Sequence, residues 1–94
     1  MAVKLTWTEV KRLSNIADHG YDFTGLAPVF DGRFCIVVQD RRRDYGEARY
    51  NMLVEFDGTV VNVTFTPRAD GYHLISARPA SRKERRVYAS RKTD

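Results

Sequence analysis

The spacing of apolar residues changes period once along this chain, close to residue 33. Before that point it is helical. Residues 3–7 form a short apolar-rich run that predicts a first edge strand. Thr8 is placed to cap a helix, and Glu9 is favourable in its first turn. Val10, Leu13 and Ala17 then recur at three- and four-residue intervals, Ile16 widens the stripe, and His19-Gly20 ends the helix. Residues 23–30 predict a second, shorter helix, with Phe23, Leu26, Ala27 and Phe30 on one face. Pro28 is tolerable there only in the first turn. Asp31-Gly32 breaks the segment.

After residue 33 the pattern is that of strands. Residues 33–39 hold a continuous apolar run, Phe34 to Val38, which predicts a central strand covered on both faces. Residues 40–46 are polar and charged and read as a loop. Residues 49–56 alternate, with Tyr50, Met52, Val54 and Phe56 on one side and Arg49, Asn51 and Glu55 on the other. Asp57-Gly58 is a two-residue hairpin turn. Residues 59–66 alternate again through Val61, Val63 and Phe65, and Asp70-Gly71 turns the chain into a strand over 72–78. Pro79 cannot donate to a ladder, so that strand stops near Arg78. Ser81 with Glu84 is a capping-box pattern opening a basic helix, with Tyr88 one turn beyond Glu84. The predicted order is β-α-α-β-β-β-β-α. This is an α+β fold, an antiparallel meander with helices at its ends, and no linker or repeat divides residues 1–94.

Composition narrows the function. A hydrophobic content of 43% in 94 residues suits one folded domain. Cys35 is the only cysteine, which excludes an intrachain disulfide and a cysteine-based metal cluster, and its apolar neighbours make it a small core residue. No apolar run has the length of a membrane span, and the N-terminus lacks a signal-peptide core, so a cytoplasmic location is expected and no membrane partner. The net charge of +4 is unevenly placed: residues 1–47 carry seven basic and seven acidic side chains, residues 48–94 nine and five. A surplus confined to one half points to a nucleic acid or an acidic protein.

Three groups of residues are candidates for chemistry. Glu47 and Arg49, two apart at a strand start, form either a structural ion pair or a carboxylate beside a phosphate clamp. Arg49, Arg68 and Arg78 each stand near a strand end, and arginine's planar fork suits phosphate binding. His19 follows the first helix as a dipole-complementing residue or an acid–base group. His73 lies in a strand with no recognisable partner. Two separated histidines without a cysteine pair make no zinc site, and neither a phosphate-cradling glycine loop nor a G-x-S-x-G elbow is present.

These residues, taken together, resemble the BrnT family of bacterial type II toxins. The similarity runs through Trp7, Lys11 and Asn15, His19-Gly20 with Phe23, and Val29-Phe30-Asp31. It continues through Asp40, Tyr45-Gly46-Glu47 with Arg49, then Thr66, Arg68 and Ile75-Ser76-Ala77-Arg78, and ends with Ala80, Glu84 and Tyr88. The resemblance implies a fold like that of RelE-type toxins and a ribonuclease activity that halts translation. It also implies a BrnA-like antitoxin carrying a ribbon-helix-helix domain, with operator DNA bound only through the toxin–antitoxin complex. For RNA cleavage without metal or cofactor, Arg49 and Arg78 are expected to stabilise charge with Arg68 in support. Glu47 is then the base or orienting carboxylate and His19 the alternative acid–base group. Arg82, Arg85 and Arg86 are expected to steer RNA, and Tyr88 to stack on a base or donate a proton. Asp18 stands where a lysine is common in the family, which keeps a second reading open: a binding module that retains the antitoxin contact and has lost cleavage.

Overall fold

The computed structural model describes residues 3–92. Strand β1 (Lys4–Thr6) leads into helix α1 (Glu9–His19), which starts where Thr8 accepts a hydrogen bond from the Lys11 amide. The helix closes on Gly20, whose φ of 81° is the left-handed conformation that frees its N–H to reach the Ile16 carbonyl. Residues 23–30 differ from expectation. They form two short 3-10 turns, Phe23–Gly25 and Ala27–Phe30, in place of a second α-helix. Pro28 has no N–H to give to Thr24, and its ring would clash with that carbonyl, so an α-helix cannot run through the segment. Side chains of a 3-10 turn recur every three residues, and Phe23, Leu26 and Val29 are the three buried here.

The remaining strands are β2 (Cys35–Asp40), β3 (Arg49–Phe56), β4 (Thr59–Arg68) and β5 (Gly71–Pro79), followed by helix α2 (Arg82–Arg91). Asp57 and Gly58, both with positive φ, form the predicted hairpin turn between β3 and β4. The sheet runs β1-β5-β4-β3-β2. It is mixed, because β1 lies parallel to β5 while the other pairs are antiparallel. The parallel pair needs Gly71, since a Cβ there would overlap the Lys4 carbonyl. With one α-helix before the meander, the order is β-α-β-β-β-β-α, not the β-α-α-β-β-β-β-α order predicted from the residue spacing, and it does not match the RelE-like fold that the resemblance implied.

Register sorts the strand residues onto two faces. Met52, Val54, Val61, Val63, Phe65, Leu74 and Ala77 meet Phe23, Leu26 and Val29 on the first face, forming the main core. The second face is half covered: α2 lays Tyr88 and the preceding Ala80 over Leu53, with Ile36 and Val60 at the margin. Two expectations about burial are reversed. The run at 33–39 is an edge strand, not a central one, and leaves Phe34, Val37 and Val38 exposed. The apolar stripe of α1 also faces out, with Val10, Leu13 and Ile16 all exposed, while Asn15 is the residue the helix buries.

Asn15 explains that orientation. Beyond His73 strand β5 has no strand on its outer side among the described residues, and Asn15 bonds its edge there. Its Nδ2 donates to the Ala77 carbonyl and its Oδ1 accepts from the Ala77 amide, both at 2.9 Å. A second Nδ2 bond to the Tyr21 carbonyl ties in the chain after the helix. One buried amide therefore replaces a strand partner and fixes α1 against the sheet edge. Asn15→Ala strands the Ala77 amide and carbonyl, and urea unfolding should show a loss of about 2–4 kcal/mol. Ser14→Ala, on the exposed side, should change stability by less than about 0.5 kcal/mol.

Candidate functional site

On the second face, the part of the sheet not covered by α2 is polar. Cross-strand pairs place Ile36 beside Leu53, Leu53 beside Asn62 and Asn62 beside Arg78. The next row runs Val38, Asn51, Thr64 and Ser76. These residues floor a cleft of about 510 Å3, walled by Lys83, Glu84 and Val87 of α2 and, across from them, by Arg42. Thr64 donates to Asn51 Oδ1 at 2.7 Å, so part of the floor is already ordered.

Arg78 and Glu84 form the centre. Glu84 Oε1 accepts from the Ser81 amide at 2.8 Å and from Arg78 Nη1 at 2.9 Å. Its Oε2 accepts from Arg78 Nη2 at 2.9 Å and from Asn62 Nδ2 at 3.0 Å. The Ser81 hydroxyl returns a bond from the Glu84 amide, completing the predicted capping box. Both carboxylate oxygens are thus used twice, which fills the acceptor capacity of the group. The Arg78 guanidinium, with help from the Ser81 amide and Asn62, lowers the Glu84 carboxyl to about 2, although its partial burial opposes this.

Arg78 is engaged end-on. Nη1 gives its protons to Glu84 and the Pro79 carbonyl, and Nη2 gives one to Glu84. The Nε–H and the second Nη2–H have no partner among the described residues, and together they make the side-on fork that fits two oxygens of a carboxylate or phosphate. Arg42 faces Arg78 closely enough for its charge to oppose that of Arg78. It is held by Asp40, through Nε at 3.0 Å and Nη2 at 2.8 Å, and those bonds keep the Asp40 carboxyl far below the usual range. Lys83 makes no ion pair among the described residues. Three cations therefore surround one space, two of them steadied by carboxylates that do not block it.

The other predicted residues lie elsewhere. Arg78 is level with Leu53, whereas Arg49 begins β3 four residues away, about 13 Å along the strand. Arg68 is level with Gly71 at the β4–β5 turn. The three arginines thus do not share one rim, because Arg78 lies toward the opposite end of its strand. Arg49 sits on the cleft face beyond its end, its guanidinium 4.1 Å from the Tyr45 ring centroid and its buried Nε without a partner. Glu47 does not pair with Arg49, because β3 starts only at Arg49; it binds Arg68 Nη1 at 3.2 Å. His19 is exposed at the end of α1 and lines no part of the cleft, and Asp18 beside it is equally exposed. Tyr88 is only 5% exposed and packs edge-on against Phe34, so it is a core residue with no face for a base. Arg85 donates to the Ala80 carbonyl, while Arg82 and Arg86 remain exposed along α2. His73 does have a partner, Thr6 Oγ1 at 2.8 Å.

Arg42, Asn51, Asn62 and Thr64 complete the cleft without having been singled out, together with Ser76 of the family motif and Lys83 of the basic helix. The alternation of β3 and β4 did hold a trace of them. Asn51, Asn62 and Thr64 are polar positions opposite a core face, which ordinarily means solvent and here means the floor of a site.

Comparison with known proteins decides what kind of chain this is. A family model described as a ribonuclease toxin, BrnT, of type II toxin–antitoxin systems matches residues 7–84. The chain belongs to the BrnT family. The matched stretch contains α1, the whole meander, Arg78 and Glu84. No curated protein matches the chain. Membership in BrnT implies a ribonuclease toxin, RNA as its substrate and a protein antitoxin as its partner. Among the described residues of this BrnT chain, no helix is long and apolar enough to cross a membrane.

The depressed Glu84 carboxyl has a consequence for stability. A group whose pKa is lower folded than unfolded stabilises the fold above its unfolded value and loses that contribution as pH falls through the folded one. The Glu84 contribution should be complete above about pH 4.5 and vanish toward pH 2. Urea midpoints followed from pH 7 to pH 2.5 should fall less steeply for Glu84→Gln than for the parent below pH 4.5. Parallel curves would show that the pair contributes nothing to folding.

Proposed function

We propose that the Arg78 cleft is the RNA site of this BrnT ribonuclease and that cleavage there needs no metal ion. The observation that carries this reading is the free side-on fork of Arg78, held rigid by Glu84 and facing Arg42 and Lys83. A phosphodiester in that space receives two parallel hydrogen bonds from Arg78 and charge from the other two cations.

In that reaction the 2′-oxygen attacks the adjacent phosphorus, its proton leaves to water, and the bond from phosphorus to the 5′-oxygen breaks. The products are a 2′,3′-cyclic phosphate and a 5′-hydroxyl. Negative charge accumulates on the non-bridging oxygens in the transition state, where preorganised cations act most strongly. Arg78 and Arg42 take that charge, and Lys83 donates a proton to the departing 5′-oxygen. Thr64 and Ser76 supply hydroxyls for the ribose or base. Arg49, farther along the same face, takes a neighbouring phosphate, and Arg68, tethered by Glu47, extends the basic track. Arg82 and Arg86 steer RNA toward the cleft from the exposed side of α2. Inhibition of translation follows from RNA cleavage, and a BrnA-like antitoxin with a ribbon-helix-helix domain neutralises the toxin in the cytoplasm of a bacterial cell.

One observation favours the second reading, a binding module that keeps its antitoxin and does not cleave. The two candidate acid–base groups, His19 and Glu47, both lie outside the cleft. RNA incubated with the purified chain in chelator, with and without ribosomes, separates the two readings. Arg78→Ala should reduce cleavage by about 100-fold or more. Glu84→Gln, which loosens Arg78 without removing it, should cost less, and Arg82→Ala should cost little. Cleavage by Arg78→Ala at the parent rate would remove the cleft from the reaction. No cleavage by the parent under any of these conditions would favour the binding module.

A further inference from the structure

The apolar run at 34–38 has the composition of a central strand, yet β2 is an edge. Val37 and Val38 are 47% and 60% exposed on opposite faces, and Phe34 stands exposed beside them. The outer backbone groups of β2 meet no other strand among the described residues. Free edges are usually protected by a proline, a bulge or an inward lysine. Cys35–Asp40 contains neither proline nor lysine and pairs with β3 through six consecutive residues without a bulge. The opposite side of the sheet is treated differently: β1 is three residues long, and beyond it Asn15 of α1 bonds the Ala77 backbone on the β5 edge. The fold covers one edge and leaves an apolar one open.

We propose that the open edge of β2 is where the antitoxin docks, adding an extended segment as a sixth strand beside Cys35–Asp40. The proposal rests on the BrnT assignment and deepens the reading of the cleft. Charge selects the occupant. Arg41, Arg42 and Arg43 stand exposed just past β2 while Asp40 is buried beneath them, and Arg33 precedes the strand. In an antiparallel pairing of two copies centred on Val37 or Val38, Arg33 of each copy, itself paired with Asp31, falls opposite Arg41, Arg42 or Arg43 of the other. Like charges directly opposite destabilise a strand pair. A segment alternating apolar residues, with carboxylates at the end that meets Arg41–Arg43, fits where a second copy does not.

Position links docking to inhibition. Ile36 and Val38 of β2, with Arg42 just beyond, are also part of the cleft wall. A strand added there borders the cleft, and its side chains on that face reach over it, so the antitoxin would exclude RNA and engage Arg42 in one act. The exposed stripe on α1 offers neither free backbone groups nor a border with the cleft.

The test uses the complex with the cognate antitoxin taken from the neighbouring reading frame. Val37 lies on the face away from the cleft, so Val37→Glu should leave RNA cleavage unchanged and weaken the complex by roughly tenfold or more. Val37→Thr, an uncharged strand former, should bind like the parent, and so should Leu13→Glu on α1. Hydrogen exchange of the unaltered chain should show the amides of residues 35–40 slowed by the antitoxin. Undiminished binding by Val37→Glu together with protection confined to α1 would overturn the proposal. A dimer of the free chain that Val37→Glu dissociates would do so as well, by naming a second copy as the occupant. Affinity and exchange are read without RNA, so a chain that fails to cleave would defeat the ribonuclease reading and leave this test standing.

Discussion

The Glu84 carboxylate is the constraint on which the second half of the molecule depends. It accepts from four donors drawn from three places: the amide before α2, the end of β5 and the middle of β4. The same bonds fix where the helix starts, how it lies over the sheet and where the Arg78 guanidinium points. A capping box on its own would set only the first of these. Here its glutamate also carries the ion pair, so helix placement and site geometry are one arrangement. The partial exposure of the pair makes it a modest source of stability. Its larger effect is orientation, since an arginine gripped end-on by a carboxylate loses little further freedom when it takes a phosphate on its remaining edge.

A five-stranded sheet with one helix at its edge and only one short helix on its second face leaves part of that face uncovered. The 3-10 turns, packed by Phe23, Leu26 and Val29, complete the first face at low cost in chain length. The second face receives only α2, and the helix buries little beyond Tyr88. What is left open must be polar or be covered by something else. Both solutions are present: Asn51, Asn62, Thr64 and Ser76 make the central strands wettable, while the apolar residues of β2 stay exposed at the rim. Cleft and open edge are thus two outcomes of one shortage of covering structure.

Much of the fold was legible from local rules. The Thr8 cap, the Gly20 stop, the Asp57-Gly58 hairpin and the Ser81–Glu84 box are decided within a few residues, and each appears where its chemistry requires. Where the reading failed, the deciding interaction lay far along the chain. Whether residues 33–39 are central or marginal depends on strand order. Which side of α1 faces inward depends on Asn15 meeting Ala77, sixty-two residues away. The arginines follow the same division. Arg78 was identifiable as a strand-end residue, but its level on β5 relative to Arg49 is set by pairing registers across three strands. Arg42 sat in what looked like an undistinguished charged loop, and nothing local tied it to the cleft.

The cleft also shows how a small domain gathers cations without being disrupted by them. Arg42 and Arg78 repel each other, and Lys83 adds to the field. Each arginine answers that repulsion with a carboxylate, Asp40 outside the cleft for one and Glu84 in the cleft wall for the other, so the cations are partly balanced where they stand. Such an arrangement keeps its donors aimed when empty, because the tethering bonds do not depend on a ligand. It also limits the chemistry. Both carboxylates are held so far into their ionised state that neither is suited to take up a proton near neutrality. A site built this way favours charge stabilisation over proton transfer, and Lys83 is its cation without a carboxylate partner among the described residues.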